Sequence, residues 1–193
     1  MAILSRPQAD PIWVISPYYC APYHVDLGIV KKIFTISDGN FVVNTNGNII
    51  FKVKGVFSLV HKRRIIVDAI GNPIKMTAHR RWKAYRGDST DSKDLLFGAK
   101  TKLDVFLAHN TKEKVCDFKV EGSRFKKSYV IYAGDTSMVI ARMRKKQTAE
   151  SILIRKDYFM VTVYPDIDYA FIVALIVILD EINHPKHVDS GAG

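Results

Sequence analysis

Cysteine is scarce in this 193-residue chain, which contains only Cys20 and Cys116. The two are far apart and form no Cys-x-x-C pair, so the sequence supports neither a disulfide framework nor a zinc site. The six histidines form no His-Glu-x-x-His motif, and a Cys–His nucleophile could arise only if the fold brought the two together. We therefore predict two buried free thiols, no metal, no cofactor and no enzymatic activity.

Phosphate-binding loops and a secretion signal are also missing. The chain has no Gly-x-Gly-x-x-Gly pattern, so nucleotide-dependent chemistry has no support. The first residues, Met1-Ala-Ile-Leu-Ser-Arg-Pro7, include neither a basic start nor a sustained apolar stretch, and they do not resemble a signal peptide. Together with the cysteine usage, this predicts a cytoplasmic protein, with peripheral membrane or nuclear association as alternatives.

A hydrophobic run long enough to cross a bilayer is absent, but a shorter one lies near the C terminus. Every side chain from Tyr169 to Leu179 is apolar or aromatic, and Asp168 and Asp180 flank the run. As a helix it would span about 16 Å, roughly half of the ~30 Å hydrocarbon core. Because the run is apolar on all sides, it must be buried inside protein. We predict a buried helix over residues 167–183.

The predicted helix supplies the centre of the core. Its core residues are expected to be Tyr169, Phe171, Ile172, Leu175, Ile176, Ile178 and Leu179. Asp166 or Asp168 should cap its first turn, where a carboxylate accepts free backbone N–H groups. Capping explains this acidic pair better than calcium binding does, since the spacing does not match a calcium loop.

After the first 26 residues, short apolar segments alternate with turn signals. Ile49, Phe51 and Val53 alternate with Lys52 and Lys54, and this two-residue period is typical of half-buried antiparallel strands. Many such strands at spacings of about ten residues predict a sandwich or a barrel. The buried helix favours a closed sheet as its enclosure.

A hairpin is predicted where Asn46-Gly47 separates two apolar segments, since both residues tolerate positive φ. We expect three parts in the chain: an extended, proline-rich arm at 1–26, a barrel domain at 27–184 that includes the helix, and a flexible tail at 185–193.

Several local motifs occur in an order that resembles a known family. They are Cys20-Ala-Pro-Tyr23, Ser37-Asp-Gly-Asn-Phe41, Phe51-Lys-Val53, Trp82 with Tyr85-Arg-Gly87, Lys102-Leu-Asp-Val-Phe-Leu107, Val163-Tyr-Pro165, Asp168-Tyr-Ala-Phe171 and Ile178-Leu-Asp180. The set resembles the plant LURP-one-related proteins and, more distantly, the tubby-type barrel. The resemblance implies a closed antiparallel barrel of about twelve strands around the helix, kinship with phospholipid scramblases, and a role in plant defence or stress signalling.

The chain departs from the family pattern between residues 73 and 100, where it looks shorter by about one strand. Two explanations stay open. Either one edge of the barrel is trimmed or partly open, or the sequence is a truncated variant. An open edge there would be an association hazard.

Acidic residues are outnumbered, with 29 Lys and Arg against 19 Asp and Glu and a net charge of +10. A basic surface attracts anionic lipid, nucleic acid or acidic proteins without distinguishing between them. The candidate cations for a lipid headgroup are Arg142, Arg144, Lys146, Arg124, Lys126 and Lys127. The first three share one face of a predicted strand and could chelate a phosphorylated headgroup. The alternative is that these charges only keep the outer face of strands solvated.

The function predicted from these features is non-enzymatic binding to anionic membrane lipid, such as a phosphoinositide, through a basic surface. A protein partner could be tethered in this way. One alternative is a membrane-tethered or DNA-associated transcriptional regulator related to tubby-like proteins, although no nucleic-acid-binding motif is present. Phospholipid scramblase activity is a weaker alternative, because the apolar helix is too short to span a bilayer.

Overall fold

The computed structural model describes residues 10–31, 41–45, 47–56, 62–78, 81–100, 103–123, 128–145 and 157–183. Within these ranges it contains twelve strands and one α-helix. They are β1 (Val25–Lys31), β2 (Phe41–Thr45), β3 (Asn48–Val56), β4 (Lys62–Asp68), β5 (Pro73–Ala78), β6 (Trp82–Arg86), β7 (Leu95–Ala99), β8 (Asp104–Leu107), β9 (Phe118–Ser123), β10 (Ser128–Ala133), β11 (Val139–Lys145), β12 (Asp157–Val163) and α1 (Tyr169–Asn183).

All twelve strands belong to one antiparallel sheet. Each strand pairs with its neighbours in sequence, and β1 pairs with both β12 and β2. Val25 faces Val163 at one end of the β1–β12 ladder, and Lys31 faces Asp157 at the other. The pairing thus returns to its first strand and gives a closed barrel. The prediction of a mainly β protein with one helix after the strands is confirmed.

The segment from residue 73 to residue 100 contains β5, β6 and β7. Each of these strands is paired on both sides, from the β4–β5 ladder to the β7–β8 ladder. The described strands here present no open edge, so the first explanation for the short segment does not hold for them.

The helix α1 lies inside the barrel. All side chains from Ala170 to Leu179 are at most 4% exposed. The Phe171 ring packs against the rings of Phe97 and Phe118, at centroid distances of 5.2 Å and 4.7 Å. Six of the seven predicted core residues are buried, and the seventh, Tyr169, is half-buried at the start of the helix. The predicted central helix is confirmed, beginning at Tyr169 rather than at residue 167.

The described part of the predicted arm, residues 10–24, crosses the barrel end at which α1 begins. One oxygen of the Asp168 carboxylate, Oδ2, accepts the backbone N–H groups of Val14, Ile15 and Ser16 at 3.1, 2.7 and 3.1 Å. The other, Oδ1, accepts the Phe171 N–H at 3.0 Å and so caps the helix. One carboxylate therefore fixes both the arm and the helix. Residues 1–9 and the predicted tail at 185–193 lie outside the described residues.

Candidate functional site

The predicted lipid-binding cations are described only in part. Arg142 and Arg144 lie on the outer face of β11, both exposed, with buried Met143 between them. The Arg142 Nε donates to the Tyr164 hydroxyl at 3.3 Å. Lys146, Arg124, Lys126 and Lys127 lie outside the described residues. The structure thus gives this surface two outward arginines and leaves the other four predicted cations untested.

Acidic side chains flank Arg142 on β11. Across the sheet, one row of neighbouring residues consists of Asp26, Thr162, Arg142, Val130 and Glu121. The Thr162 hydroxyl donates to Asp26 Oδ1 at 2.6 Å. With strands about 4.8 Å apart, a carboxylate lies roughly 10 Å from Arg142 on each side. The charge of Arg142 is therefore partly offset, whereas the row through Arg144 contains no acidic residue within the described strands.

A second set of cations lies on the outer face of four adjacent strands. Here "the β3–β6 basic face" means Lys52, Lys54, Arg63, Lys75 and Lys83. These residues alternate along their strands with buried side chains: Phe51 and Val53 on β3, Arg64 and Ile66 on β4, Ile74 and Met76 on β5, and Trp82 and Ala84 on β6. Successive side chains on a strand point to opposite faces, so the five cations point outward.

The strand registers bring these cations together in rows. Lys54 faces Ile65, which faces Lys75 on its other side. Arg63 faces Thr77, which faces Lys83. At about 4.8 Å between strands, each of these two pairs of cations is separated by roughly 10 Å. The rows through the basic face contain no acidic residue, in contrast to the row through Arg142.

Most of the basic face has no counter-charge. The Lys75 ammonium bonds Asp88 through its carboxylate at 2.9 Å and its carbonyl at 3.0 Å. The other four cations have no ion pair with another described residue. The Arg63 Nε atom is buried and has no hydrogen-bond partner within the described ranges. An anion bound at the surface would therefore meet the ammonium groups of Lys52, Lys54 and Lys83, which have no described counter-charge.

An apolar cavity adjoins the two lysines of β3. Its volume is about 450 Å³, and its lining includes Ile49, Ile70, Lys52, Lys54 and the acidic Asp68. The Asp68 carboxylate is already engaged, since it accepts hydrogen bonds from the Tyr19 hydroxyl and from the β4–β5 turn. Ile49 and Ile70 are 51% and 79% exposed, which is unusual for large aliphatic side chains. Cations and exposed apolar side chains thus meet at one edge of the basic face, an arrangement suited to an amphiphilic anion.

Three other basic residues have structural roles. Arg64 points into the barrel and forms an ion pair with Glu181 of α1 at 2.6 Å, with both side chains nearly buried. Arg81 pairs with Glu113, whose second oxygen binds Lys100 at 3.1 Å. The hydrogen bond from Arg81 lowers the pKa of Glu113 despite the opposing effect of burial. These cations are already neutralised.

The cysteines show no sign of activation. Burial, with a smaller contribution from Asp168 and Asp166, raises the pKa of the Cys20 thiol to about 11. Burial also raises the pKa of the Cys116 thiol, with a smaller contribution from Asp104. Over the described residues, no three His, Cys, Asp or Glu side chains are grouped as metal ligands would be. In the same residues, no helix combines the length and apolar content needed to cross a bilayer.

The sequence contains part of the signal for the basic face. Lys52 and Lys54 alternate with apolar residues, and Arg63 and Lys83 belong to recognisable basic clusters. Only the register between four strands shows that these residues share one surface, while Arg64, the immediate neighbour of Arg63, points inward.

Comparison with known proteins adds the family. A family model described as LURP-one-related matches residues 25–180. The chain is similar to the Arabidopsis thaliana protein LURP-one-related 10, with 50% identity over 91% of this chain and 99% of the relative. It is also similar to LURP-one-related 15 from the same organism, with 47% identity over 92% of this chain and 88% of the relative.

A solved structure supports the same assignment. The X-ray structure of a protein from Arabidopsis thaliana superposes with a TM-score of 0.74 at 47% identity, and covers 89% of this chain and 98% of that one. The family match covers all twelve strands and most of α1. On this evidence, the chain belongs to the LURP-one-related family.

Proposed function

We propose that this protein binds reversibly to anionic membrane lipid, with phosphoinositides as the preferred headgroups, through the β3–β6 basic face. The observation that carries the proposal is the set of four outward cations without a described counter-charge, Lys52, Lys54, Arg63 and Lys83. The adjoining apolar cavity with exposed Ile70 supports it, because a lipid presents both a charged headgroup and an apolar chain.

The expected affinity is low. A basic residue near an anionic leaflet contributes about 1 kcal/mol, so four contribute about 4 kcal/mol, which corresponds to roughly millimolar binding. Binding of this strength is reversible and weakens with added salt, since exposed charges are screened over about 10 Å at 0.1 M. A multiply phosphorylated headgroup would strengthen it by engaging several cations at once.

The surface predicted from the sequence remains a second candidate for the same function. It consists of Arg142, Arg144 and the four cations outside the described ranges. In the barrel order, β11 is separated from β4 by β12, β1, β2 and β3 in one direction and by β5 to β10 in the other. The two surfaces therefore lie on opposite sides of the barrel and can be tested separately.

Vesicle flotation with matched charge variants tests the proposal. The vesicles would contain phosphatidylcholine alone or with a few per cent of a phosphoinositide. Replacing Lys52 and Lys54 together by glutamine should weaken binding by about 30-fold, the equivalent of roughly 2 kcal/mol. The control, Arg142→Gln with Arg144→Gln, removes the same charge from the opposite side and should change binding little.

Two outcomes would overturn the proposed site. Loss of binding in the β11 control, with the β3 variant unaffected, would assign the function to the predicted surface. Indifference to lipid together with salt-sensitive DNA binding would favour the transcriptional-regulator alternative. Kinship with tubby-like proteins and scramblases and participation in plant defence remain implications of the sequence resemblance. A role without catalysis remains a prediction from the missing motifs.

A further inference from the structure

A second cavity lies where the arm passes over the β4–β5 turn and the end of β6. Its volume is about 400 Å³, and its lining includes Ile15, Tyr18, Tyr19, Ile70, Ile74 and Arg86. We propose that this cavity binds a small organic anion, a carboxylate on a flat apolar body.

The walls of the cavity are largely apolar. Two tyrosine rings, Tyr18 and Tyr19, meet edge to face at a centroid distance of 5.3 Å. Ile15 and Ile74 are buried beneath them, while Tyr18 stays 76% exposed at the surface. Small-molecule sites typically occupy about 300–1,000 Å³ and are lined by such side chains with a few polar groups. At the lower end of that range, the cavity suits a ligand of one or two rings.

The walls are also held in place before any ligand arrives. The Asp168 carboxylate fixes the arm through the Ser16 N–H at 3.1 Å and the Ile15 N–H at 2.7 Å. The Asp68 carboxylate fixes the opposite wall by accepting the Tyr19 hydroxyl at 2.7 Å and the Asn72 N–H at 2.7 Å. A ligand would therefore meet a preformed site and incur little ordering cost.

One charge sets the chemistry of the ligand. Among the described residues that line the cavity, Arg86 is the only one with a formal charge. It has no ion pair with another described residue. Two acids beside the cavity are engaged elsewhere. Asp68 accepts hydrogen bonds from Tyr19 and the β4–β5 turn, and Asp88, two residues after Arg86, pairs with Lys75. A guanidinium in this position matches a planar carboxylate.

This inference does not depend on membrane binding. Arg86 ends β6, whereas the two lysines that line the other cavity lie on β3. Among the described residues, the two cavities share only Ile70. A variant of Arg86 can therefore separate the two sites.

Backbone amide NMR titration of the full chain tests the proposal with two probes of the same shape. 1-Naphthoate carries the carboxylate, and 1-naphthalenemethanol is its uncharged counterpart. We expect saturable shifts at the cavity amides of Ser16, Tyr18, Asn72 and Gly87, with the alcohol binding roughly tenfold weaker or more, since hydrogen bonds to charged groups are the stronger ones.

Three variants locate the site. Arg86→Gln should weaken 1-naphthoate binding by roughly tenfold or more and leave the alcohol unchanged. Tyr18→Ala should weaken both probes, because the exposed ring supplies apolar contact. Lys93→Gln, which removes a 77% exposed cation outside the cavity lining, is the control and should weaken neither. The proposal is overturned by equal affinity for the two probes, by shifts confined to other parts of the barrel, or by naphthoate binding that survives Arg86→Gln.

Discussion

Asp168 joins the arm to the helix α1, and replacing it by alanine should destabilise both. Its carboxylate is fully buried and accepts four backbone N–H groups, three from the arm at Val14, Ile15 and Ser16 and one from the helix at Phe171. Alanine offers no acceptor, so all four donors would lose their partner.

The magnitude follows from these four bonds. Loss of a helix cap costs about 1 kcal/mol. Each arm N–H left buried without an acceptor costs about 1–3 kcal/mol, so the total is about 4–10 kcal/mol if the arm stays in place. If the arm detaches instead, the loss is the burial of Val14, Ile15 and Tyr19, at about 1.5–3 kcal/mol each. Either way, at least about 4 kcal/mol is lost from a total that is typically 5–15 kcal/mol.

Urea denaturation and amide hydrogen exchange measure this effect. Because Asp168→Ala can fail to fold, Asp168→Asn supplies an intermediate case, since asparagine keeps one acceptor oxygen and should lose about half as much. Asp166→Asn is the control, because Asp166 has a φ of 61°, which asparagine tolerates. The reasoning is refuted if Asp168→Ala costs less than about 1 kcal/mol while the amides of Val14 and Ser16 keep their protection.

Further predictions concern the core and its pH dependence. Leu175→Asp should abolish folding, because Leu175 is 1% exposed within α1; a soluble variant that melts cooperatively would contradict this. Glu181→Gln should cost about 3–5 kcal/mol in urea unfolding by leaving the Arg64 charge buried and uncompensated, and adding Arg64→Met should recover most of the loss. Burial raises the pKa of Asp68, but the hydrogen bonds from Tyr19 and from the β4–β5 turn together lower it by more, so the pKa lies below its ordinary value of 3.8. The stabilisation of the folded state by the Asp68 carboxylate is present above pH 3.8 and is lost as the pH falls through the lowered pKa. Asp68→Asn should therefore flatten the acid limb of the curve of unfolding free energy against pH. An unchanged acid limb would contradict this assignment.

The helix and the strands were predictable because their signals are local. Eleven consecutive apolar side chains from Tyr169 to Leu179 leave no face for water, and the alternation in β3 places Phe51 and Val53 inside. Ile49 is the exception. The pairing between β2 and β3 shifts register between Val43 and Asn44, so β3 contains one extra residue between Phe51 and Ile49. This bulge reverses the inward–outward alternation of the side chains and turns Ile49 outward. A bulge of this kind depends on the partner strand, so the pattern of β3 alone does not reveal it.

The candidate sites were not predictable for a related reason. The β3–β6 basic face forms only when the register of four strands is known, because its cations are spread from Lys52 to Lys83. The cavity at Arg86 needs contacts over a still longer range, since the arm is held by Asp168, more than 150 residues later in the chain. Charge clusters in sequence indicated that cations would be exposed, but they did not indicate which would remain without a counter-charge.

The most direct test of the central claim is to measure which side of the barrel approaches a membrane. Vesicles with a phosphoinositide and a gadolinium-chelating lipid would broaden the amide signals of residues at the surface. The predicted result is strong broadening at Lys52, Lys54 and Arg63, with Arg142 and Arg144 spared. Broadening centred on β11, or none at any strand, would contradict the account.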